Sequence, residues 1–159
     1  MHKKLRLPET RPHLAQGKTD RKNGREFRKV AVFDDMPAIV SLYADMLSRP
    51  EIRVVTEDAV HTAEEALSIF RTEQPDLVIT DLSLTRNGTE GFDILKGIRM
   101  FSPTIHVPIA LFTSAYVQGG TDGLSLEIRD KGYDALFNKT QTHEVVAFVE
   151  MAFDLSSES

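Results

Sequence analysis

The chain has no cysteine among its 159 residues. No disulfide framework and no thiolate metal site can therefore form, and nothing marks a secreted, covalently stapled fold. A reducing cytoplasm is the expected location. Long hydrophobic runs are also missing, since the longest span only four to six residues. That is far below the roughly 20 apolar residues an α-helix needs to cross a bilayer. The first residues hold no apolar stretch resembling a signal peptide, so no membrane association is expected. What remains is 41% hydrophobic and 27% charged, a balance that supports one globular core at this length and leaves too little chain for a second.

The net charge of -5 conceals an asymmetry. Residues 1–29 carry ten Lys or Arg against three acids, leaving nine basic and twenty-one acidic residues in 30–159. The first segment also holds Pro8, Pro12, Gly17 and Gly24 among few apolar side chains, too little to offset the entropy of ordering it. Residues 1–28 are thus expected to be a flexible basic arm preceding a folded unit over 29–156. Such an arm can bind nucleic acid or an acidic membrane surface. A solvated tail explains it as well, and nucleic acid is not an expected partner.

From residue 30 the pattern alternates between short apolar runs and stretches of helical period. The runs are Val30–Phe33, Ile52–Val55, Leu77–Thr80, Ile109–Phe112 and Ala135–Phe137. After the first, Ile39, Leu42, Tyr43, Met46 and Leu47 form one helical stripe, which predicts a helix from Pro37 to Arg49. A second helix contains Ala63, Ala66, Leu67 and Phe70, with Thr62 and Glu65 spaced as a capping box and Pro75 as its stop. A third carries Phe92, Leu95 and Ile98, and a weaker one with Leu124 and Ile128 follows a loop containing Gly119, Gly120 and Gly123 and stops at Gly132. The last shows Val145, Phe148, Val149, Ala152 and Phe153. Five apolar runs separated by helices predict an α/β fold with a doubly wound parallel sheet and helices on both faces. Ligands of such sheets bind beyond the carboxyl ends of the strands.

The residues at those ends are Asp34 and Asp35, then Asp81, then Thr113 and Ser114, then Lys139. Three carboxylates in one pocket stay ionised together only if a cation offsets their repulsion. Oxygen ligands without Cys or a nearby His favour a hard ion such as Mg²⁺. Beside such an ion a carboxylate can attack phosphorus and form an acyl phosphate. Asp81, alone after an apolar strand, is the candidate nucleophile, and Asp34 and Asp35 suit the ion. Lys139, the ion and the Thr113 hydroxyl, or the N–H that follows it, could each meet one phosphoryl oxygen.

The stretches VAVFDDMPAIVSLYADML, DLVITDLSL, VPIALFTSA and GYDALFNKT, taken in this order, closely resemble the response-regulator receiver family over roughly residues 30–155. The resemblance implies a five-stranded, flavodoxin-like sheet of order 2-1-3-4-5. It implies that Asp34, Asp35 and Asp81 bind Mg²⁺ together with the backbone carbonyl of Ser83. It also implies that Asp81 is phosphorylated by a sensor histidine kinase or a phosphotransfer protein, that Thr113 moves toward the phosphoryl group and that Lys139 contacts it. The expected role is a single-domain phosphoacceptor, not an enzyme beyond self-dephosphorylation. It would signal to a downstream protein through a changed binding surface and could form a homodimer.

Three positions depart from the family pattern. Thr85 stands where a Pro is usual and Gly91 arrives two residues late, so the loop after Asp81 is longer. Thr140 replaces the Pro that usually follows the lysine, where a trans bond or a strained one is expected, since cis before Thr costs about 3–4 kcal/mol. Leu136 takes the usual place of a switching aromatic, with Phe137 and Tyr116 near it in sequence. These departures motivate an alternative, a receiver-like interaction module that no longer switches. A haloacid-dehalogenase-type hydrolase would need an acid two residues after its nucleophile, where Met36 stands. His61, His106 and His143 read as surface or capping residues without metal-ligand spacing.

Overall fold

The computed structural model describes residues 21–22, 25–85, 88–113 and 132–155. The larger sheet comprises β1 (Arg28–Phe33), β2 (Ile52–Val54), β3 (Leu77–Asp81), β4 (Ile109–Thr113) and β5 (Ala135–Asn138). All neighbours pair in parallel and the spatial order is β2-β1-β3-β4-β5. Helices α1 (Pro37–Met46), α2 (Ala63–Glu73), α3 (Glu90–Phe101) and α4 (Thr142–Ala152) connect or flank the strands. This is the expected 2-1-3-4-5 topology. Before the sheet, Arg21–Lys22 and Arg25–Glu26 pair as a short antiparallel hairpin.

Alternation along the strands divides the core into two layers. Ala31, Phe33, Val78, Ile109 and Leu111 face Ala66 and Phe70 of α2 and Ile94, Leu95 and Ile98 of α3. Val30, Val32, Leu77, Ile79, Ala110 and Phe112 face Tyr43 of α1 and Val145, Phe148 and Val149 of α4. Strands β3 and β4 are buried along their whole length, so their runs read as continuous apolar segments without a polar face. Burying each large apolar side chain contributes about 1.5–3 kcal/mol, which makes these layers the main support of the sheet.

Several element ends differ from the pattern reading. Helix α1 stops at Met46 and not Arg49, because Pro50 disfavours helical geometry at Arg49 before it. Arg49 bridges to Ile52 instead. Helix α2 starts with the expected capping box between Thr62 and Glu65. It ends one residue before Gln74, which takes left-handed geometry at φ 49° ahead of Pro75. Strands β3, β4 and β5 each run one residue further than their apolar runs, to Asp81, Thr113 and Asn138, since a ladder continues through polar residues that an apolar count omits. The peptide bond before Thr140 is trans. Residues 1–20 of the expected arm lie outside the described residues, as do Ser114, Tyr116, the glycine loop and the helix with Leu124 and Ile128.

Candidate functional site

Parallel pairing brings the strand ends level, with Phe33 opposite Thr80, Asp81 opposite Phe112 and Thr113 opposite Asn138. Asp34 and Asp35 follow β1, Asp81 and Thr113 are the last residues of β3 and β4, and Lys139 follows β5. Sequence positions more than a hundred residues apart therefore meet at one sheet edge. Carboxylate oxygens of Asp34, Asp35 and Asp81 all lie within 4.8 Å of one another. The Lys139 ammonium is 2.9 Å from Asp34 Oδ2 and 2.9 Å from Asp81 Oδ2, and it lies 5.3 Å from the centre of the Phe112 ring.

Backbone groups hold these side chains in place. Asp34 Oδ1 accepts the Met36 N–H at 2.7 Å, and Asp81 Oδ1 accepts the Ser83 N–H at 3.2 Å. Lys139 is fixed by its own N–H, which donates to the Thr113 carbonyl at 2.9 Å. Gly91, in the first turn of α3, packs directly on the phosphoacceptor candidate: a Cβ there would stand 2.6 Å from the Asp81 carbonyl oxygen. Its own carbonyl accepts the Tyr133 hydroxyl. Thr113 is buried at the end of β4, while the Ser83 hydroxyl donates to the Gly88 carbonyl.

Burial dominates the electrostatics. It raises the Asp34 carboxyl to about 6 against the lowering effects of Lys139 and the Met36 N–H. It raises Asp81 as well, again opposed by Lys139. Burial pulls Lys139 down, but hydrogen bonds and charge from Asp81 and Asp34 outweigh it and hold the ammonium above its usual value. Three carboxylates against one ammonium leave a surplus of negative charge that a divalent cation would offset. Asp34 Oδ2 is buried against the Lys139 ammonium. The all-oxygen donor set of Asp34, Asp35 and Asp81 fits a hard cation.

Every predicted site residue with a described side chain thus lies at this edge. His61, His106 and His143 lie outside the acidic cluster, with the His61 N–H on Glu65 Oε1 and His106 Nε2 2.8 Å from Asp134. Sequence reasoning missed Glu90 and Tyr133. Glu90 gathers the loop after Asp81, and Tyr133 ties that loop's helix to the turn before β5. Glu90 carries no periodic or motif signal and Tyr133, though inside the GYDALFNKT stretch, carries no periodic one, because both act through contacts across a loop or between elements.

The family model for the response regulator receiver domain matches residues 30–147. No curated protein sequence matches the chain. Among solved structures, the chain is similar to a two-component response regulator of the LuxR family from Aurantimonas sp. SI85-9A1, with a TM-score of 0.65 and 24% identity over 84% of this chain and 90% of that one. It is also similar to the signal receiver domain of a Luxo repressor protein from Vibrio parahaemolyticus, with a TM-score of 0.64 and 19% identity over 80% and 91%. The chemotaxis response regulator CheY4 of Vibrio cholerae matches with a TM-score of 0.59 and 21% identity over 77% and 98%. At these identities the structural likenesses speak for the fold.

Proposed function

The chain belongs to the response regulator receiver domain family, and from that premise we propose that it accepts a phosphoryl group on Asp81 from a sensor histidine kinase or phosphotransfer protein. The observation that carries this reading is the Lys139 ammonium, 2.9 Å from both Asp34 and Asp81 at the rim of the acidic cluster. In the reaction an Asp81 oxygen forms a bond to phosphorus as the donor's nitrogen–phosphorus bond breaks, and the histidine leaves. The protein's part is to position groups and to offset charge on the equatorial oxygens. Asp34, Asp35, Asp81 and the Ser83 carbonyl would hold Mg²⁺, which supplies positive charge to those oxygens. Lys139 moves from its carboxylate partners to a phosphoryl oxygen, and the Thr113 hydroxyl donates to another.

In this reading residues 29–156 act as a phosphoacceptor unit in the cytoplasm, preceded by a basic segment over 1–28 in which Arg21–Lys22 and Arg25–Glu26 pair as a hairpin. The unit signals to a downstream protein, or to a second copy, through a changed surface and does not turn over substrate beyond losing its own phosphoryl group. Incubation with Mg²⁺ and acetyl phosphate should add one phosphoryl group, detected by intact-mass spectrometry, to the wild type and none to Asp81→Asn. An unlabelled wild type, or equal labelling of the two proteins, would overturn this reading in favour of a constitutive interaction module.

A further inference from the structure

The lengthened loop between Asp81 and α3 is folded on itself in its described part. Glu90, the first residue of α3, turns its side chain back so that Oε1 accepts the Leu84 N–H at 2.9 Å and the Thr85 N–H at 3.3 Å. Its Oε2 accepts the Thr85 hydroxyl. The Gly88 N–H donates to the Thr85 carbonyl at 3.0 Å, and Leu84 is anchored in the core. One carboxyl group therefore gathers the residues that follow the phosphoacceptor.

Peptide planarity gives this contact a consequence for Ser83. The Leu84 N–H and the Ser83 C=O belong to one planar trans unit, in which the two groups point in opposite directions. Holding the N–H on Glu90 turns the Ser83 carbonyl away from Glu90. The preceding peptide is fixed as well, because the Ser83 N–H donates to Asp81 Oδ1 at 3.2 Å. Among the described residues no hydrogen bond ends on the Ser83 carbonyl oxygen. The loop thus holds a backbone acceptor in a fixed orientation, without a hydrogen-bond partner among the described residues, two residues from Asp81.

We propose that Glu90 is a positioning residue of the cation site, locking the Ser83–Leu84 peptide so that the Ser83 carbonyl is presented to a divalent ion held by Asp34, Asp35 and Asp81. The inference rests on the Mg²⁺ reading above and deepens it. Glu90 acts as a hydrogen-bond acceptor of defined reach, a role the neutral amide oxygen of a glutamine could also fill. Outer groups that orient metal ligands typically change affinity about 10- to 100-fold when lost.

Two variants separate reach from charge, and both keep a residue compatible with a helix start. Glu90→Gln keeps an oxygen at the same distance and removes the charge. Glu90→Asp keeps the charge and falls one methylene short. Isothermal titration with MgCl₂ should find Glu90→Gln equal to wild type and Glu90→Asp weaker by about 10-fold. Amide exchange at Leu84 should rise only in Glu90→Asp. Wild-type Mg²⁺ affinity in Glu90→Asp despite faster Leu84 exchange would overturn the proposal. So would unchanged Leu84 exchange in that variant, or a loss in Glu90→Gln as large as in Glu90→Asp. A wild type that takes up no Mg²⁺ overturns this proposal together with the functional reading, whereas labelled wild type with an indifferent Glu90→Asp overturns this proposal alone.

Discussion

Asp34 shows how one residue sets the working range of the site. Burial raises its carboxyl to about 6 in the metal-free protein, so the folded state holds this proton more tightly than the unfolded chain does. The sign follows from linkage: between about 4 and 6 this group favours the metal-free fold as pH falls and opposes it as pH rises. A cation must displace the same proton. Mg²⁺ binding should therefore release protons at pH 6 and almost none at pH 8, with affinity falling below pH 6; calorimetry in buffers of different ionisation enthalpy reads the proton count directly. Lys139 carries the complementary prediction. Removing one partner of a buried ion pair costs about 3–5 kcal/mol, so Lys139→Met should lower metal-free stability by about 3 kcal/mol in urea titrations at pH 8. The loss should shrink toward pH 5, where protonation relieves the exposed repulsion between Asp34 and Asp81. A similar loss at both pH values would mean that packing of the lysine stem, and not its charge, supports the pocket.

At the scale of elements, the helices and strands were legible because their signals are local. The capping box of α2 is an example, with the Glu65 N–H on Thr62 Oγ1 at 3.0 Å and Glu65 Oε1 accepting the Thr62 N–H at 3.3 Å. Thr62→Ala should cost about 1 kcal/mol of stability, read by thermal melting, and leave labelling of Asp81 unchanged because Thr62 contributes no group to the acidic cluster. The helix stop at Met46 was misread because a stripe of apolar residues continues to Leu47, and the backbone restriction that Pro50 imposes on Arg49 outweighs the stripe. The loop after Asp81 was legible only as an insertion. Its organisation depends on a side chain six residues beyond Leu84 reaching back, and no periodicity encodes such a reach. Gly91, by contrast, has a plain steric reason for its identity: the 2.6 Å approach of a Cβ to the Asp81 carbonyl leaves no room for alanine.

Across the whole molecule, strand order followed from the family pattern, and the site followed from strand order, since parallel ladders align Asp81, Thr113 and the residues before Lys139 at one edge. Two core layers hold that edge in place, so mutual repulsion among its acids cannot be relieved by moving the backbone. The fold instead stores the repulsion, which a cation should convert into stability. Asp35 is the cleanest probe, because it is half-buried in the cluster and its charge raises Asp81. Asp35→Asn keeps the side chain's size and removes one negative charge, so it should stabilise the metal-free protein by about 1 kcal/mol, as charge optimisation commonly does. In the wild type, Mg²⁺ at a hundred times its dissociation constant should add about 2.7 kcal/mol by mass action, and Asp35→Asn should lose most of that gain. Melting curves of the two proteins should therefore change order, the variant melting higher in EDTA and the wild type higher in excess MgCl₂. If the wild type melts higher under both conditions, Asp35 supports the fold in its own right, and the acidic edge stores no repulsion for a cation to relieve.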